Sequence, residues 1–180
     1  VGSETEPKLS AAQNVDVQWP GKNPKPEWTW WEPEGKQLAT QWRTTPVVVD
    51  MNGDQLNDLV MLDHEGYLAL FTRMMLPGVA GDGKNAPFGL LPGKRIFVDV
   101  KGEPLRLNGR NAGGSGRKKL HAVDWDGDGD LDVLYTNGDA FDYIPPRPRP
   151  WHGLQWLENQ GDDGFAFHRI GDFPGASVAR

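Results

Sequence analysis

The chain has no cysteine, so disulfides, thiolate zinc sites and a cysteine nucleophile are all excluded. No apolar run approaches the roughly eighteen residues of a membrane span, and the polar start VGSETEPKLSAAQ lacks a basic segment followed by an apolar one. Basic excess is absent too. Lys+Arg number 19 against 25 Asp+Glu, a net charge of −6, which removes the footprint expected of a nucleic-acid binder. A helical apolar period is equally hard to find, because prolines or glycines interrupt nearly every window of a dozen residues.

What the sequence does hold points to strands. Its 180 residues are 37% hydrophobic, enough for one domain with a real core. Gly 23 and Pro 15 together are about a fifth of the chain, which suits short strands joined by many turns. The expected class is all-β.

One internal repeat organises the rest. TPVVVDMNGDQLNDLVML (45–62) aligns with KLHAVDWDGDGDLDVLYT (119–136) at a constant offset of 74. Each copy is an apolar run, an acidic glycine loop and a second apolar run, which predicts strand, tight loop, strand. YLALFTR (67–73) alternates as a third strand should. LQWLENQ (154–160) and FAFHRIG (165–171), separated by a glycine-bounded turn, predict a hairpin. The stretches 76–117 and 144–151 read as inserted loops of the kind that often carry function.

With Asp50 as position 1, the first loop offers side-chain oxygens at positions 1, 3, 5 and 9 from Asp50, Asn52, Asp54 and Asp58. Asp124, Asp126, Asp128 and Asp132 repeat the pattern in the second loop. Oxygens at alternating positions on a backbone that glycine lets curl are what a hard cation with six to eight ligands requires. The backbone carbonyl at position 7, Leu56 or Asp130, would supply a further ligand. The plainer reading is an Asp/Gly turn with solvated charges; two registered copies favour calcium, one ion per loop. An EF-hand is disfavoured because its glycine belongs at position 6 and its glutamate at position 12, here Met61 and Tyr135, and because its flanks should be helices.

DMNGDQLNDLVML and DWDGDGDLDVLYT resemble the Asp-x-Asp/Asn-Gly-Asp-x-x-x-Asp loops of FG-GAP or VCBS repeats, found in integrin α-like β-propellers and many secreted bacterial proteins. That resemblance implies blades of four antiparallel strands, with Ca²⁺ in the loop joining the first two. Residues 1–180 then form a single propeller segment, with calcium-loop repeats at about 44–75 and 118–171, an insertion at 76–117 and partial blades at both ends. Two complete units are too few to close a ring of four to eight blades, so other chains or a missing remainder are expected to complete it. The resemblance also implies a secreted, periplasmic or extracellular setting.

For function, the resemblance implies a secreted protein handling acidic polysaccharide, such as a polysaccharide lyase, or else a non-catalytic adhesion or protein-interaction propeller; a purely structural fragment is the third reading. Eliminative cleavage of a uronic-acid polysaccharide needs a base and a stabiliser of developing negative charge. His121, Tyr143 and Arg43 are the catalytic candidates, His121 because it replaces the Val47 of the first repeat at a position read as inward. Weighed against catalysis is a satisfied core histidine. Eight tryptophans are present; Trp19, Trp42, Trp125 and Trp156 are expected between sheets, whereas Trp30 and Trp31 must point to opposite faces of any strand. Trp30 and Trp31, with Arg110 and Arg117 of the basic glycine loop, are the candidate glycan-binding residues.

Overall fold

The apolar run, acidic loop and second apolar run of each repeat fold as an antiparallel hairpin. In the computed structural model, residues 14–26, 32–76, 88–99, 101–108, 118–136, 153–161 and 164–172 are described. They contain nine strands and no α-helix, and no helix among them is long and apolar enough to cross a membrane. The first repeat gives β1 (Val47–Val49), β2 (Asp58–Leu62) and β3 (Leu68–Phe71), ordered β1-β2-β3. The second gives β6 (Lys119–Val123), β7 (Asp132–Thr136), β8 (Gly153–Asn159) and β9 (Phe165–Asp172), in a four-stranded up-and-down sheet. Between them lie β4 (Arg73–Met75) and β5 (Phe88–Leu90), paired antiparallel.

The registers repeat as the sequences do. Val47 pairs with Val60 and Val49 with Asp58; His121 pairs with Leu134 and Val123 with Asp132, each at the same offset of 74. Among the described residues the first sheet has no continuous fourth strand. Its β3 edge is instead covered by two pieces of the insertion: Leu70 and Lys94 exchange both backbone bonds at 2.9 Å, and Leu68 N donates to Leu105 O at 3.0 Å. The described part of this insertion is therefore core-forming, contributing Leu90, Phe97 and Leu105 to the buried interior.

Two apolar layers hold the sheets together. Val60, Leu62, Leu68 and Leu70 of the first sheet meet Val133, Tyr135 and Leu157 of the second repeat's sheet, with Phe97 and Phe165 in ring contact at 4.6 Å. The opposite face of the first sheet, Met61, Ala69 and Phe71, packs on Val17 and Leu90. Val17 belongs to an N-terminal segment that bridges both Leu90 and, through Asp16, Gln37. Each fully buried Val, Leu or Phe side chain contributes about 1.5–3 kcal/mol, so these layers are the main source of stability.

The two repeats present opposite faces to the layer they share. Residues Val60 and Leu62 correspond to Leu134 and Thr136, yet it is Val133 and Tyr135, the counterparts of Leu59 and Met61, that face the common core. Equivalent faces would meet in a two-fold sandwich. Here the packing is head to tail, a relation that continues in one direction instead of closing on itself.

That relation corrects the reading of His121. Val47 packs against the shared core, but its counterpart His121 is exposed, because β6 turns the other side of the repeat to that core. A histidine replaces the valine without any buried polar cost.

Candidate metal centre

Each acidic loop joins the first two strands of its sheet, and its first carboxylate builds it. Asp50 Oδ1 accepts from Gly53 N at 2.8 Å and its Oδ2 from Gln55 N at 2.8 Å; Asp124 Oδ1 accepts from Gly127 N at 2.7 Å and its Oδ2 from Gly129 N at 3.2 Å. Position 3 caps position 5: Asn52 Oδ1 accepts from Asp54 N at 3.0 Å, and Asp126 Oδ1 from Asp128 N at 3.3 Å. Position 5 caps position 7, with Asp54 Oδ1 on Leu56 N at 2.8 Å and Asp128 Oδ1 on Asp130 N at 3.0 Å. These four bonds recur in both loops, and the first loop adds one from Asp54 N to Asp50 Oδ1 at 3.1 Å.

The ninth position has a different task. Asp58 and Asp132 are 0% and 1% exposed. Asp58 Oδ2 accepts from Met51 N at 3.3 Å and Oδ1 from Arg73 N at 2.7 Å; Asp132 Oδ2 accepts from Trp125 N at 3.0 Å and Oδ1 from Asn159 N at 2.8 Å. Each carboxylate thus ties the start of its loop to the chain leaving the third strand of its sheet. Burial pushes the Asp58 carboxyl above the usual range despite these two backbone donors, with Asp54 and Asp50 adding repulsion.

The remaining carboxylates converge in one loop. Oxygens of Asp124, Asp126 and Asp128 all lie within 4.8 Å of one another on the surface, an arrangement able to hold a metal ion. Asp126 and Asp130 are pushed above the ordinary carboxylate range, first by desolvation and then by neighbouring carboxylates, among them Asp128 and Asp132. Asp130 also carries a buried Oδ1 with no hydrogen-bond partner. Hard oxygen donors, clustered negative charge and an unsatisfied acceptor fit a cation. Loop one is quieter: its position 3 is an amide, and Asn52 Nδ2 donates to Asp54 Oδ2 at 3.1 Å.

Position 6, where an EF-hand places glycine, is left-handed in both loops: Gln55 has φ 68° and Gly129 φ 100°. Glycine at that position is thus present in the second loop. What separates these loops from an EF-hand is position 12, where Met61 and Tyr135 are strand residues only 2% and 3% exposed.

Other sequence candidates are scattered. Arg43 sits in a turn with φ 60° and lays its guanidinium over the Trp42 ring at 3.9 Å; His121 is exposed on β6. Trp30, Trp31, Arg110, Arg117 and Tyr143 lie outside the described residues. Of the tryptophans expected between sheets, Trp42 and Trp125 are instead 45% and 47% exposed. Trp125 occupies position 2 of the second acidic loop, where its backbone N–H, not its ring, has the structural task.

Sequence spacing missed a polar cluster at the β2–β3 turn. Arg95 bonds Asp63 at 2.6 Å and also Glu65, while its guanidinium lies 4.0 Å from the Tyr67 ring centroid and that of Arg106 5.1 Å. Its members are separated by up to 43 residues and share no motif, so no spacing signal points to it.

The double role of these aspartates can be separated by substitution. Asp132→Asn replaces one acceptor by a donor facing a backbone N–H, so it is expected to cost about 1–3 kcal/mol, unchanged by chelator. Asp126→Asn is expected to matter only when cation is present. Chemical denaturation of both variants with and without chelator distinguishes strut from ligand.

No family model matches the chain, and neither a curated protein nor a solved structure matches it.

Proposed function

We propose that the chain is a calcium-stabilised segment of a β-propeller, of the FG-GAP/VCBS kind its loops resemble, in a secreted protein that handles acidic polysaccharide. The carrying observation is that two loops 74 residues apart share four side-chain-to-backbone bonds, and that one of them gathers the carboxylates of Asp124, Asp126 and Asp128. A turn that merely reversed the chain would have no use for the further carboxylate of Asp130, whose buried Oδ1 has no hydrogen-bond partner. Calcium is the preferred ion because the donors are oxygens on a flexible loop, and magnesium demands a stricter octahedron. The proposed ligands are Asp124, Asp126 and Asp128 with Asp130 in the second loop, and Asp50, Asn52 and Asp54 with the Leu56 carbonyl in the first. Asp58 and Asp132 act mainly as struts, each with a second lone pair on every oxygen still open to an ion.

The propeller part of the proposal is supported by head-to-tail packing of the repeats, which has no internal stop and calls for further sheets from other chains or from more of the same protein. The glycan part rests on Trp30, Trp31, Arg110 and Arg117, whose rings and forked donors suit uronate or sulfate sugars. Calorimetric titration with Ca²⁺ tests the proposal: two sites are expected, the tighter one lost in Asp124→Ala. Absence of any heat of binding would refute it. A panel of uronic-acid and sulfated glycans then decides between polysaccharide handling and the adhesion alternative, for which no binding is expected.

A further inference from the structure

Asn52 is the single carboxamide among the side chains at positions 1, 3, 5 and 9 of the two loops; the other seven are aspartates. It precedes Gly53, the neighbour that least obstructs attack by a backbone nitrogen on the carboxamide carbon. No atom beyond its chain neighbours lies within 4 Å of where a Gly53 Cβ would stand. Both residues are exposed. We propose that Asn52-Gly53 is a site of spontaneous deamidation, gated by opening of the loop, whose aspartate product gives the first loop the carboxylate pattern of the second.

The reaction needs only water. The Gly53 backbone nitrogen loses its proton to hydroxide and attacks Cγ of Asn52; the N–Cγ bond forms, the Cγ–Nδ2 bond breaks, and the carboxamide nitrogen leaves as ammonia after taking a proton from solvent. Water then opens the resulting succinimide at either carbonyl, leaving aspartate or isoaspartate at position 52. No oxidant or reductant takes part.

In the closed loop both reacting groups are engaged. Gly53 N donates to Asp50 Oδ1 at 2.8 Å, and the Asn52 carboxamide is held at its oxygen by Asp54 N at 3.0 Å and at its nitrogen by Asp54 Oδ2 at 3.1 Å. Reaction therefore follows opening. A surface loop opens at far lower cost than the core behind it. The chain provides its own comparison, because Asn-Gly also occurs at 108–109. Asn108 is 6% exposed, donates its Nδ2 to Gln41 Oε1 at 3.0 Å and its backbone N to Gly66 O at 3.2 Å. Releasing it means disrupting the buried edge of the first sheet.

The consequence for the loop rests on the calcium reading. In the aspartate product a carboxylate at position 52 stands where the second loop has Asp126, removes the Asn52 Nδ2 bond that occupies Asp54, and strengthens cation binding; the isoaspartate product reroutes the backbone and does not reproduce that pattern. Bound cation in turn holds the loop shut and protects the remaining amide.

Incubation of the full chain at mildly alkaline pH, followed by proteolysis and peptide mapping by mass spectrometry, reads the amide-to-acid mass shift at each asparagine. Folded protein is expected to convert at Asn52 about tenfold or more faster than at Asn108, with the difference collapsing in denaturant. Equal rates at the two sites in folded protein, or no conversion at Asn52 there, would overturn the proposal. A parallel titration compares Ca²⁺ binding by Asn52→Asp with the parent: tighter binding supports the consequence, while unchanged binding with conversion intact overturns the calcium link alone and leaves the modification site standing.

Discussion

Gly66→Ala is expected to destabilise the chain by about 3–5 kcal/mol, because the added methyl group meets backbone on top of a left-handed conformation. Gly66 has φ +87°, and a Cβ there would stand 2.2 Å from the carbonyl oxygen of Asn108 and 3.0 Å from its carbon. Both obstacles are backbone, so no rotamer change relieves them. Nor can the segments simply part. Gly66 O accepts from Leu107 N at 3.0 Å and Asn108 N at 3.2 Å, and Arg106 clamps the neighbouring Glu65 carbonyl with Nε and Nη2 at 3.0 and 2.8 Å. Withdrawing 105–108 would also draw Leu105 out of the main apolar layer. Gly102→Ala is the control. Asp99 and Gly102 form a turn like that of Asp63 and Gly66, each aspartate accepting from the two N–H groups two and four residues on. Gly102 is left-handed at φ +77° but a Cβ there meets nothing within 4 Å, so only the conformational cost of about 1–2 kcal/mol is expected. Denaturation midpoints for the two variants measure the difference directly. Equal losses would mean that conformation alone, and not the close approach, makes Gly66 necessary.

The same turn illustrates what the sequence made legible. Period-two alternation and the acidic punctuation placed β1, β2, β6 and β7 and their hairpins, since each strand buries one face and the loop chemistry is local. The β8–β9 hairpin followed from its flanking glycines. Facing directions did not follow, because identical alternation is compatible with either face being inward; which face is buried depends on the neighbouring sheet, and for His121 that reversed the expectation. The edge partner of β3 was equally hidden. Lys94 and Leu105 lie in a stretch whose glycines and prolines signal loops, yet short isolated bridges tolerate such residues as long strands do not. Within the loops, alternating oxygens announced a cation site, but spacing alone could not divide ligands from struts. Asp132 is distinguished from Asp124 only by depth: one is 1% exposed and bonded to a distant strand, the other exposed on the surface.

Removal of divalent cation is expected to lower the melting temperature by roughly 5–11 °C, and Asp124→Ala to reproduce most of that loss in calcium-containing buffer. An ion that binds only the folded state stabilises it by RT ln(1 + [L]/Kd), about 2.7 kcal/mol at a hundredfold excess over Kd. For a chain of 180 residues each kcal/mol corresponds to about 2–4 °C. The loss should fall mainly on the second loop. It carries five aspartates between positions 1 and 9 against three in the first, and only the first neutralises part of its charge through an amide donor. Asp124 is the informative residue because its two oxygens organise the loop through Gly127 and Gly129 while its carboxylate also faces Asp126 and Asp128. Its alanine variant should therefore be less stable than the parent even in chelator, by the two lost backbone bonds, and should gain nothing when calcium is added back to the second loop. Asp50→Ala separates the loops: a smaller calcium-dependent shift is expected, since fewer carboxylates there compete for relief by the ion. Differential scanning calorimetry of parent and both variants, each with calcium and with chelator, supplies the comparison. A parent melting curve that chelator leaves unmoved would show that the aspartates of both loops serve the backbone alone.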